Sequence, residues 1–360
     1  MELSSLQYHL PEELIAQSPA EPRDSARLLV YTRATGQVHH AHIRDLPEIL
    51  PAPSVLVANN SRVRSARLHL KDTSERNWEL LVLEPTDTPG RFACIVGGGK
   101  VKVGTLLSCV PAKKPALLAR IGEPLPTPGL TTYLVDFTLE SEVKEVTSSI
   151  IEEYGSVPLP PYITQSTAAP ERYQTVFAKD TGSAAAPTAG LHLTPELLLT
   201  LESKGVHFCE ATLHVGIGTF LPLRNNVIEE NTLHREHTLL TKEAAEQLNQ
   251  AKDAHHPIIA VGTTSFRTLE SHLSPVGIFQ PGSLDTDLFV YPGYHCRAVD
   301  GLLTNFHLPK SSLMLLVATV LAQNSTATAE EAIAKLLDLY HLAISEKYRF
   351  YSFGDAMLIL

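Results

Sequence analysis

The chain has 360 residues, a formal net charge of −10, and a composition that is 44% hydrophobic and 19% charged. These values are typical of a soluble globular protein. The longest apolar run, Leu313 to Ala322, is far short of the roughly 20 residues that a membrane span needs, which excludes a membrane partner. The first residues lack the basic and apolar regions of a signal peptide. The four cysteines form no CxxC pair, which argues against structural zinc and indicates a reduced, cytoplasmic protein.

Two domains are expected, because a single hydrophobic core rarely serves a chain of this length. An apolar strand ends in a polar stretch from Asn59 to Arg62, which suits a ligand at the edge of an open α/β sheet and equally suits a turn. From 63 to 156 the apolar runs are short and separated by Gly or Pro, as in a small β-barrel or sandwich. We predict a discontinuous α/β domain with a mixed sheet over 1–62 and 157–360, and an inserted β-barrel domain over 63–156.

Charge is distributed unevenly along the chain. Residues 62–130 contain eleven Lys or Arg and six Asp or Glu, a local balance of +5, so the rest of the chain carries −15. A locally basic module can contact nucleic-acid phosphates even within an acidic protein. A solvated basic face explains the same charge, and charge alone does not separate the two interpretations.

After residue 157 the predicted strands and helices alternate, which indicates an α/β layer architecture. Thr194 and Pro195 begin a helix that Gly205 ends, and Thr241 caps another helix. The other predicted elements are strands over Val206–Val215, Pro257–Val261, Leu288–Tyr291 and Leu302–Phe306, and helices from Gly262, over Ser311–Ala322 and over Ala329–Ser345.

Two loops with glycine and histidine flank the helix that begins at Pro195. Glycine permits close approach of a ligand to backbone amides, and a helix N-terminus favours negative charge. The same residues are also explained by ordinary turns and structural histidines. Their spacing does not decide between this explanation and a ligand-binding site. The candidate residues in these loops are Thr188, Gly190, His192, His214, Gly216 and Gly218.

Three further loops place polar groups at strand ends or helix starts. Hydroxyls and amides at a helix start suit a carboxylate or a phosphate. A single loop of this kind is usually a capped helix or a turn, but several together favour a site at one sheet edge. Their candidate residues are Glu236, beside His234, then Thr263, Thr264 and Arg267, and finally Asn305 and His307.

Long segments of the chain match one known pattern. They are AAPTAGLH at 185–192, LHVGIGTF at 213–220, VGTTSFRTLE at 261–270, LTNFHLP at 303–309 and EKYRFYSFGDAM at 346–357, with LPEELIA at 10–16 and PLPPYI at 158–163. Together these segments resemble the S-adenosylmethionine:tRNA ribosyltransferase-isomerase family. The resemblance covers essentially the whole chain and is weakest over 100–130.

The resemblance implies an enzyme of queuosine biosynthesis with an α/β domain and an inserted β-barrel. Such an enzyme transfers and isomerises the ribosyl moiety of S-adenosylmethionine onto the aminomethyl-deazaguanine at the tRNA wobble position. The products are epoxyqueuosine-tRNA, adenine and methionine. The implied partners are S-adenosylmethionine, as co-substrate, and the anticodon stem-loop of a tRNA with a GUN anticodon. We expect a cytoplasmic monomer with no permanently bound cofactor and no metal.

This chemistry suggests roles for the candidate residues. A sulfonium acidifies the adjacent C5′ hydrogens of the ribose, and an imidazole is suited to remove one of them. His192 and His214 are the candidates for that base, while Glu236 or Asp355 would manage the protons of adenine and of the acceptor amine. Thr263, Thr264 and Arg267 would hold the methionine carboxylate. The other substrate-binding candidates are Asn59, Arg62, Thr188, Gly190, Gly216, Gly218, Asn305 and His307.

Two other functions remain open. A metal-dependent hydrolase would use His192, His214, His234 and Glu236, although no H-E-x-x-H pattern is present. A non-catalytic RNA-binding module would rest on the basic segment over 62–130. Chelator sensitivity would favour the hydrolase, and turnover of S-adenosylmethionine would exclude the binding module.

Overall fold

A computed structural model describes residues 1–111, 114–127, 130–140, 145–166, 168–216, 223 and 225–360. The chain divides into two compact units, one formed by Met1–Arg62 with Pro160–Leu360 and the other by Val63–Leu159. The first unit contains a large mixed sheet with helices, and the second contains a closed barrel of six strands. The predicted fold class, an α/β domain with an inserted β-barrel, is therefore confirmed.

The elements are numbered in chain order. The strands are β1 (Arg27–Thr32), β2 (Gln37–His42), β3 (Ser54–Asn59), β4 (Ser61–Val63), β5 (Arg67–Asp72), β6 (Asn77–Pro85), β7 (Arg91–Gly97), β8 (Leu106–Cys109), β9 (Leu117–Thr127), β10 (Leu130–Leu139), β11 (Asp180–Ser183), β12 (Val206–Leu213), β13 (Glu236–Leu240), β14 (Ile258–Val261), β15 (Gly282–Thr286), β16 (Gly301–Asn305) and β17 (Ala356–Ile359). The α-helices are α1 (Leu46–Ile49), α2 (Ser148–Tyr154), α3 (Pro195–Ser203), α4 (Lys242–Asp253), α5 (Gly262–His272), α6 (Ser312–Ala322) and α7 (Ala329–Ser345).

The large sheet has the strand order β15-β13-β12-β3-β14-β16-β17-β1-β2. Strands β12, β3, β14 and β16 are parallel to one another, so their carboxyl ends lie at one edge of the sheet. Strand β17 runs antiparallel to β16, and its first residue, Ala356, pairs with Asn305 at that same edge. The segment before β17 is thereby brought to the edge where α/β sheets place ligands.

Both faces of the sheet are covered, because side chains alternate along each strand. On β3, Val55 and Val57 join the apolar cluster that includes side chains of α4, α6 and α7. Leu56 and Ala58 point to the other face and pack with side chains of α1 and α3. This two-sided burial explains why β3, β14 and β16 are buried at every position rather than at alternate ones.

The predicted helix starts are confirmed by their caps. The Thr194 hydroxyl accepts a hydrogen bond from Leu197 N at 3.1 Å, and the Thr241 hydroxyl accepts one from Ala244 N at 3.2 Å. Gly205, with φ of +85°, adopts the left-handed conformation expected just after α3. In the part of the chain that the structure describes, no helix is long and apolar enough to cross a membrane.

The predicted strand over Leu288–Tyr291 is wrong, because this segment is irregular and the nearby strand is β15. The Leu288 carbonyl accepts a hydrogen bond from Arg267 Nε at 3.0 Å, and Leu288 N donates to Thr286 Oγ1 at 3.1 Å. The backbone groups of Leu288 are therefore bonded to side chains instead of to a neighbouring strand. The apolar side chains that suggested a strand pack in or against the hydrophobic core.

The second unit is a barrel with the strand order β10-β7-β6-β5-β8-β9, closed by pairing of β10 with β9. All its strand pairs are antiparallel. Its core includes Trp78, Leu80 and Val82 from alternate positions of β6, and α2 packs Ile150 and Ile151 against the same core. The alternation of buried and exposed positions is what the short apolar runs of the sequence encode.

Candidate functional site

A cavity of about 320 Å³ lies in the first unit, at the carboxyl ends of β14 and β16. We call it the strand-end cavity. Its volume falls within the range of about 300–1,000 Å³ that is usual for small-molecule sites. The lining comes from the segments 161–162, 185–189, 262–264, 304–313 and 351–352, with Tyr173 and Val215.

Tyrosines and hydroxyl groups give the strand-end cavity its chemical character. The rings of Tyr162 and Tyr351 are in contact, with centroids 4.8 Å apart, and the Tyr162 hydroxyl lies 2.6 Å from Ser352 Oγ. Burial raises the pKa of Tyr162 above its usual value and that of Tyr351 to about 12, so both phenols remain protonated at neutral pH. This wall offers flat apolar surface for an aromatic ligand, together with hydrogen-bond donors.

Asn305 lines the cavity and separates it from His192. The Asn305 side chain accepts a hydrogen bond from Thr188 Oγ1 at 3.1 Å, and its Nδ2 lies 3.3 Å from His192 Nε2 and 3.2 Å from the Tyr351 carbonyl. His192 is buried and is not part of the lining. Burial lowers the pKa of His192 to about 4, so the imidazole is neutral at pH 7. Its neutral Nε2 serves as an acceptor for the asparagine amide.

His307 is the histidine that lines the cavity in the described part of the chain. Its Nε2 lies 2.9 Å from Thr304 Oγ1, so the ring orientation is fixed. Its backbone is held on both sides, because the amide donates to the Tyr340 hydroxyl at 3.0 Å and the carbonyl accepts from the Tyr8 hydroxyl. Burial lowers the pKa of His307 to about 3. The cavity therefore contains a neutral and rigidly held imidazole.

Glu236 and Arg267 form a buried ion pair beside the strand-end cavity rather than in it. Arg267 Nη1 bonds Glu236 Oε2, and the two side chains are 7% and 4% exposed. Gly216 N donates to Glu236 Oε1 at 2.9 Å. This pair, with His234, borders a much smaller cavity of about 30 Å³. Arg267 therefore lies outside the lining of the strand-end cavity, which includes Thr263 and Thr264.

Asp355 lies close to the sheet edge without lining the cavity. Its carboxylate accepts hydrogen bonds from Arg349 N at 2.8 Å, Arg27 N at 3.1 Å and Arg349 Nη2 at 3.2 Å. These bonds hold together the segment that leads into β17 and the first residue of β1. The buried carboxylate therefore fixes the positions of these two segments relative to each other.

Several other candidates lie away from the cavity. The His214 ring stacks on the His237 ring at a centroid distance of 6.2 Å. Asn59 binds the backbone of Leu213 through Nδ2 and Oδ1, at 2.9 and 3.1 Å, and so joins the ends of β3 and β12. Arg62 is exposed. The remaining glycine candidates are Gly190, which packs against Phe177 and Thr175, and Gly218, which lies outside the described residues.

The structure thus brings together Thr188, Asn305, Thr263, Thr264 and His307. The tyrosines of the cavity wall and the start of α6 were not among the site residues predicted from the sequence. A signal for the tyrosines was present, because Tyr162 lies in the segment 158–163 and Tyr351 in 346–357, both of which carry the family resemblance. Among the described residues, no group of three His, Cys, Asp or Glu side chains is arranged to hold a metal ion.

A cavity with polar groups beyond the carboxyl ends of parallel strands is typical of α/β proteins that bind a small molecule. The model of the queuosine biosynthesis protein family matches residues 3–359, and the chain belongs to this family. The match extends through both compact units.

Three relatives illustrate the similarity. The chain is 44% identical to the S-adenosylmethionine:tRNA ribosyltransferase-isomerase of Desulfitobacterium hafniense, over 100% of both chains. It is 41% identical to the enzyme of the same name from Moorella thermoacetica, again over 100% of both. The crystal structure of S-adenosylmethionine tRNA ribosyltransferase from Thermotoga maritima is 32% identical, with a TM-score of 0.52 over 99% of this chain and 100% of that one.

Proposed function

We propose that this protein transfers and isomerises the ribosyl moiety of S-adenosylmethionine onto the aminomethyl-deazaguanine at the wobble position of tRNA. The products are epoxyqueuosine-tRNA, adenine and methionine. The observation that carries the proposal is the 44% identity to a ribosyltransferase-isomerase over the full length of both chains. We also propose that the protein acts as a monomer in the cytoplasm, on the anticodon stem-loop of a tRNA with a GUN anticodon.

The strand-end cavity is the proposed site of the sulfonium donor. Its tyrosine wall is suited to the adenine ring, and the acceptor oxygens of Thr188 and Asn305 are suited to ribose hydroxyls. The reaction begins when a base removes a C5′ hydrogen next to the sulfonium. The electron pair left on C5′ forms the C5′–C1′ bond of the new carbocycle, while adenine leaves C1′ with the electrons of its glycosidic bond and takes up a proton. The neutral acceptor amine forms a bond to C1′ and loses a proton. The ring oxygen, released from C1′, forms the epoxide bond to C5′ as methionine departs with the electrons of the C5′–sulfur bond.

We propose His307 as the group that accepts the C5′ proton. It lines the cavity, its ring is oriented by Thr304, and burial keeps its pKa low enough for the ring to be neutral. His192, the candidate from sequence, becomes a positioning residue, because it reaches the cavity only through the side chain of Asn305.

The barrel carries exposed cations that are suited to contact tRNA. Lys100 and Lys102 are exposed and make no ion pair with any described residue. In contrast, Lys114 pairs with Glu153 at 3.0 Å, and Lys113 lies outside the described residues. Of the basic residues in 62–130, we choose Lys100 and Lys102, which lie two positions apart on one loop, as the proposed phosphate contacts.

The variant with both Lys100→Glu and Lys102→Glu is expected to bind tRNA more weakly, with a salt dependence reduced by up to about one unit of slope per lost phosphate contact. Affinity measured by filter binding at several salt concentrations provides the test. Lys242→Glu is the control, because it reverses an exposed charge on α4 in the other unit. An unchanged affinity and slope in the double variant would contradict a phosphate contact at these lysines.

The proposed activity is tested with purified protein, S-adenosylmethionine and tRNA that carries the aminomethyl-deazaguanine. Adenine and methionine should be released in equal amounts, and mass spectrometry of the digested tRNA should show epoxyqueuosine. The assay is repeated after exhaustive chelation, because a metal-dependent hydrolase would lose its activity there. Formation of S-adenosylhomocysteine, or no turnover of the donor, would overturn the proposal.

A further inference from the structure

Two helices begin at the strand-end cavity. The first turn of α5 contributes Gly262, Thr263 and Thr264 to the lining, and Ser311 and Ser312 contribute the start of α6. Neither helix has a side-chain cap at its N-terminus. The unpaired backbone N–H groups of a first turn carry partial positive charge and attract anions. Two such first turns line one cavity.

Hydroxyl groups at these helix starts have no hydrogen-bond partner among the described residues. Thr263 is only 8% exposed and lines the cavity, yet its side chain makes no hydrogen bond with any described residue. Thr264 Oγ1 and Ser311 Oγ are also buried and make no hydrogen bond to the described part of the chain. A buried hydroxyl without a partner is unfavourable. Two such oxygens, with the Thr263 hydroxyl beside them at the cavity surface, point to a ligand that accepts hydrogen bonds.

The charges of the lining favour an anion. Among the described lining residues, the charged side chain is that of Lys310, which is exposed and lies just before α6. These lining residues include no Asp or Glu. Arg267, one turn further along α5, is committed to Glu236 and to the Leu288 carbonyl. The anion would therefore be held by hydroxyls, backbone amides and one lysine, without a guanidinium.

We propose that the N-terminal turns of α5 and α6, with Thr263, Thr264, Ser311 and Lys310, form an oxyanion subsite within the strand-end cavity. The ligand group is a carboxylate or a phosphate, both of which accept several hydrogen bonds from such donors. This inference rests on the proposed function, which supplies two sources: the amino-acid carboxylate of S-adenosylmethionine and a backbone phosphate of the tRNA beside the modified nucleotide.

The test is Thr263→Val, which keeps the shape of the side chain and removes only the hydroxyl. Because this hydroxyl has no partner in the described structure, the variant should fold with a melting temperature at or above that of the wild type. If the subsite holds the donor carboxylate, affinity for S-adenosylmethionine should fall about tenfold, as measured by calorimetry. Affinity for decarboxylated S-adenosylmethionine, which keeps the sulfonium and the amine, should not change.

If the subsite instead holds a phosphate, Thr263→Val should weaken tRNA binding about tenfold and leave S-adenosylmethionine affinity unchanged. Thr319→Val is the control, because this buried threonine of α6 bonds only the Leu315 carbonyl, at 2.8 Å, and does not line the cavity. The subsite would be overturned if the affinities of Thr263→Val for S-adenosylmethionine and for tRNA both lie within twofold of the wild-type values.

A failure of the proposed function is distinguishable from a failure of the subsite. If the wild type binds neither S-adenosylmethionine nor tRNA, the proposed function fails, and inorganic phosphate becomes the probe. Phosphate should then raise the melting temperature of the wild type and of Thr319→Val more than that of Thr263→Val. Equal shifts in all three proteins would overturn the oxyanion subsite by itself.

Discussion

His307→Gln is expected to slow the removal of a C5′ hydrogen from S-adenosylmethionine by ~10²–10⁴-fold, the usual contribution of a general base. Affinity for the donor should change only a few-fold, because the interaction is made mainly in the transition state. The fold should survive, since Tyr8 and Tyr340 hold the backbone of His307 and not its ring. The glutamine amide can also retain a contact with the Thr304 hydroxyl.

The pH dependence gives an independent measure of the same role. A group whose pKa is lowered to about 3 stays neutral at every pH above that value. Exchange of the C5′ hydrogens should therefore stay level as pH falls from about 8 to about 5. An imidazole with an ordinary pKa of about 6.5 would instead lose about tenfold in rate for each pH unit below its pKa.

Deuterium incorporation into the donor in heavy water, followed by mass spectrometry, measures this step without requiring transfer to tRNA. His207→Gln is the matched control, because His207 is exposed on β12 and does not line the cavity. His192→Gln should retain most of the exchange, since the new amide oxygen can still accept from Asn305, whereas His192→Leu should lose more. If His307→Gln exchanges within a few-fold of the wild type, His307 is not the base.

The elements of the α/β domain were predictable wherever a local signal marks them. Thr241 caps α4 as the sequence indicates, and Gly205 ends α3 with the positive φ that glycine tolerates. The segment Leu288–Tyr291 misled because an apolar run signals burial and not hydrogen bonding. The Leu288 carbonyl instead bonds the Arg267 side chain. The hydrophobic periodicity of a sequence cannot reveal a contact between residues so far apart in the chain.

Which residues line the strand-end cavity was only partly predictable, because this too depends on contacts between distant parts of the chain. Polar residues after β14 and β16 were expected at one sheet edge, and Thr263, Asn305 and His307 do line the cavity. The depth of each side chain depends on packing across the chain, so His192 could not be recognised as lying behind Asn305. The residues that fix His307, Tyr8 and Tyr340, come from opposite ends of the sequence.

The second large effect is expected at the ion pair between Glu236 and Arg267. Arg267→Met should lower the free energy of unfolding by about 3–5 kcal/mol, the usual cost of leaving one member of a buried pair uncompensated. Both side chains are almost fully buried, at 7% and 4% exposure, so water cannot take the place of the lost partner. The Leu288 carbonyl would also lose its donor.

The doubly substituted variant, Glu236→Leu with Arg267→Met, should recover much of this loss, because replacing a whole buried pair by apolar side chains is often close to neutral. Recovery should be incomplete, since Gly216 N loses its carboxylate acceptor. Arg91→Met is the matched control: it breaks the pair with Asp136, whose side chains are 37% and 40% exposed, and exposed pairs contribute about 0–1 kcal/mol.

Urea unfolding can follow the two units separately. Circular dichroism reports the helices, most of which lie in the first unit, while the single tryptophan, Trp78, lies in the barrel and reports that unit by fluorescence. Arg267→Met should shift the transition seen by circular dichroism to lower urea, and Arg91→Met should shift neither transition appreciably. If Arg267→Met costs no more than Arg91→Met, the buried pair does not stabilise the α/β domain. Its carboxylate would then be free to serve the reaction that the sequence first suggested for it.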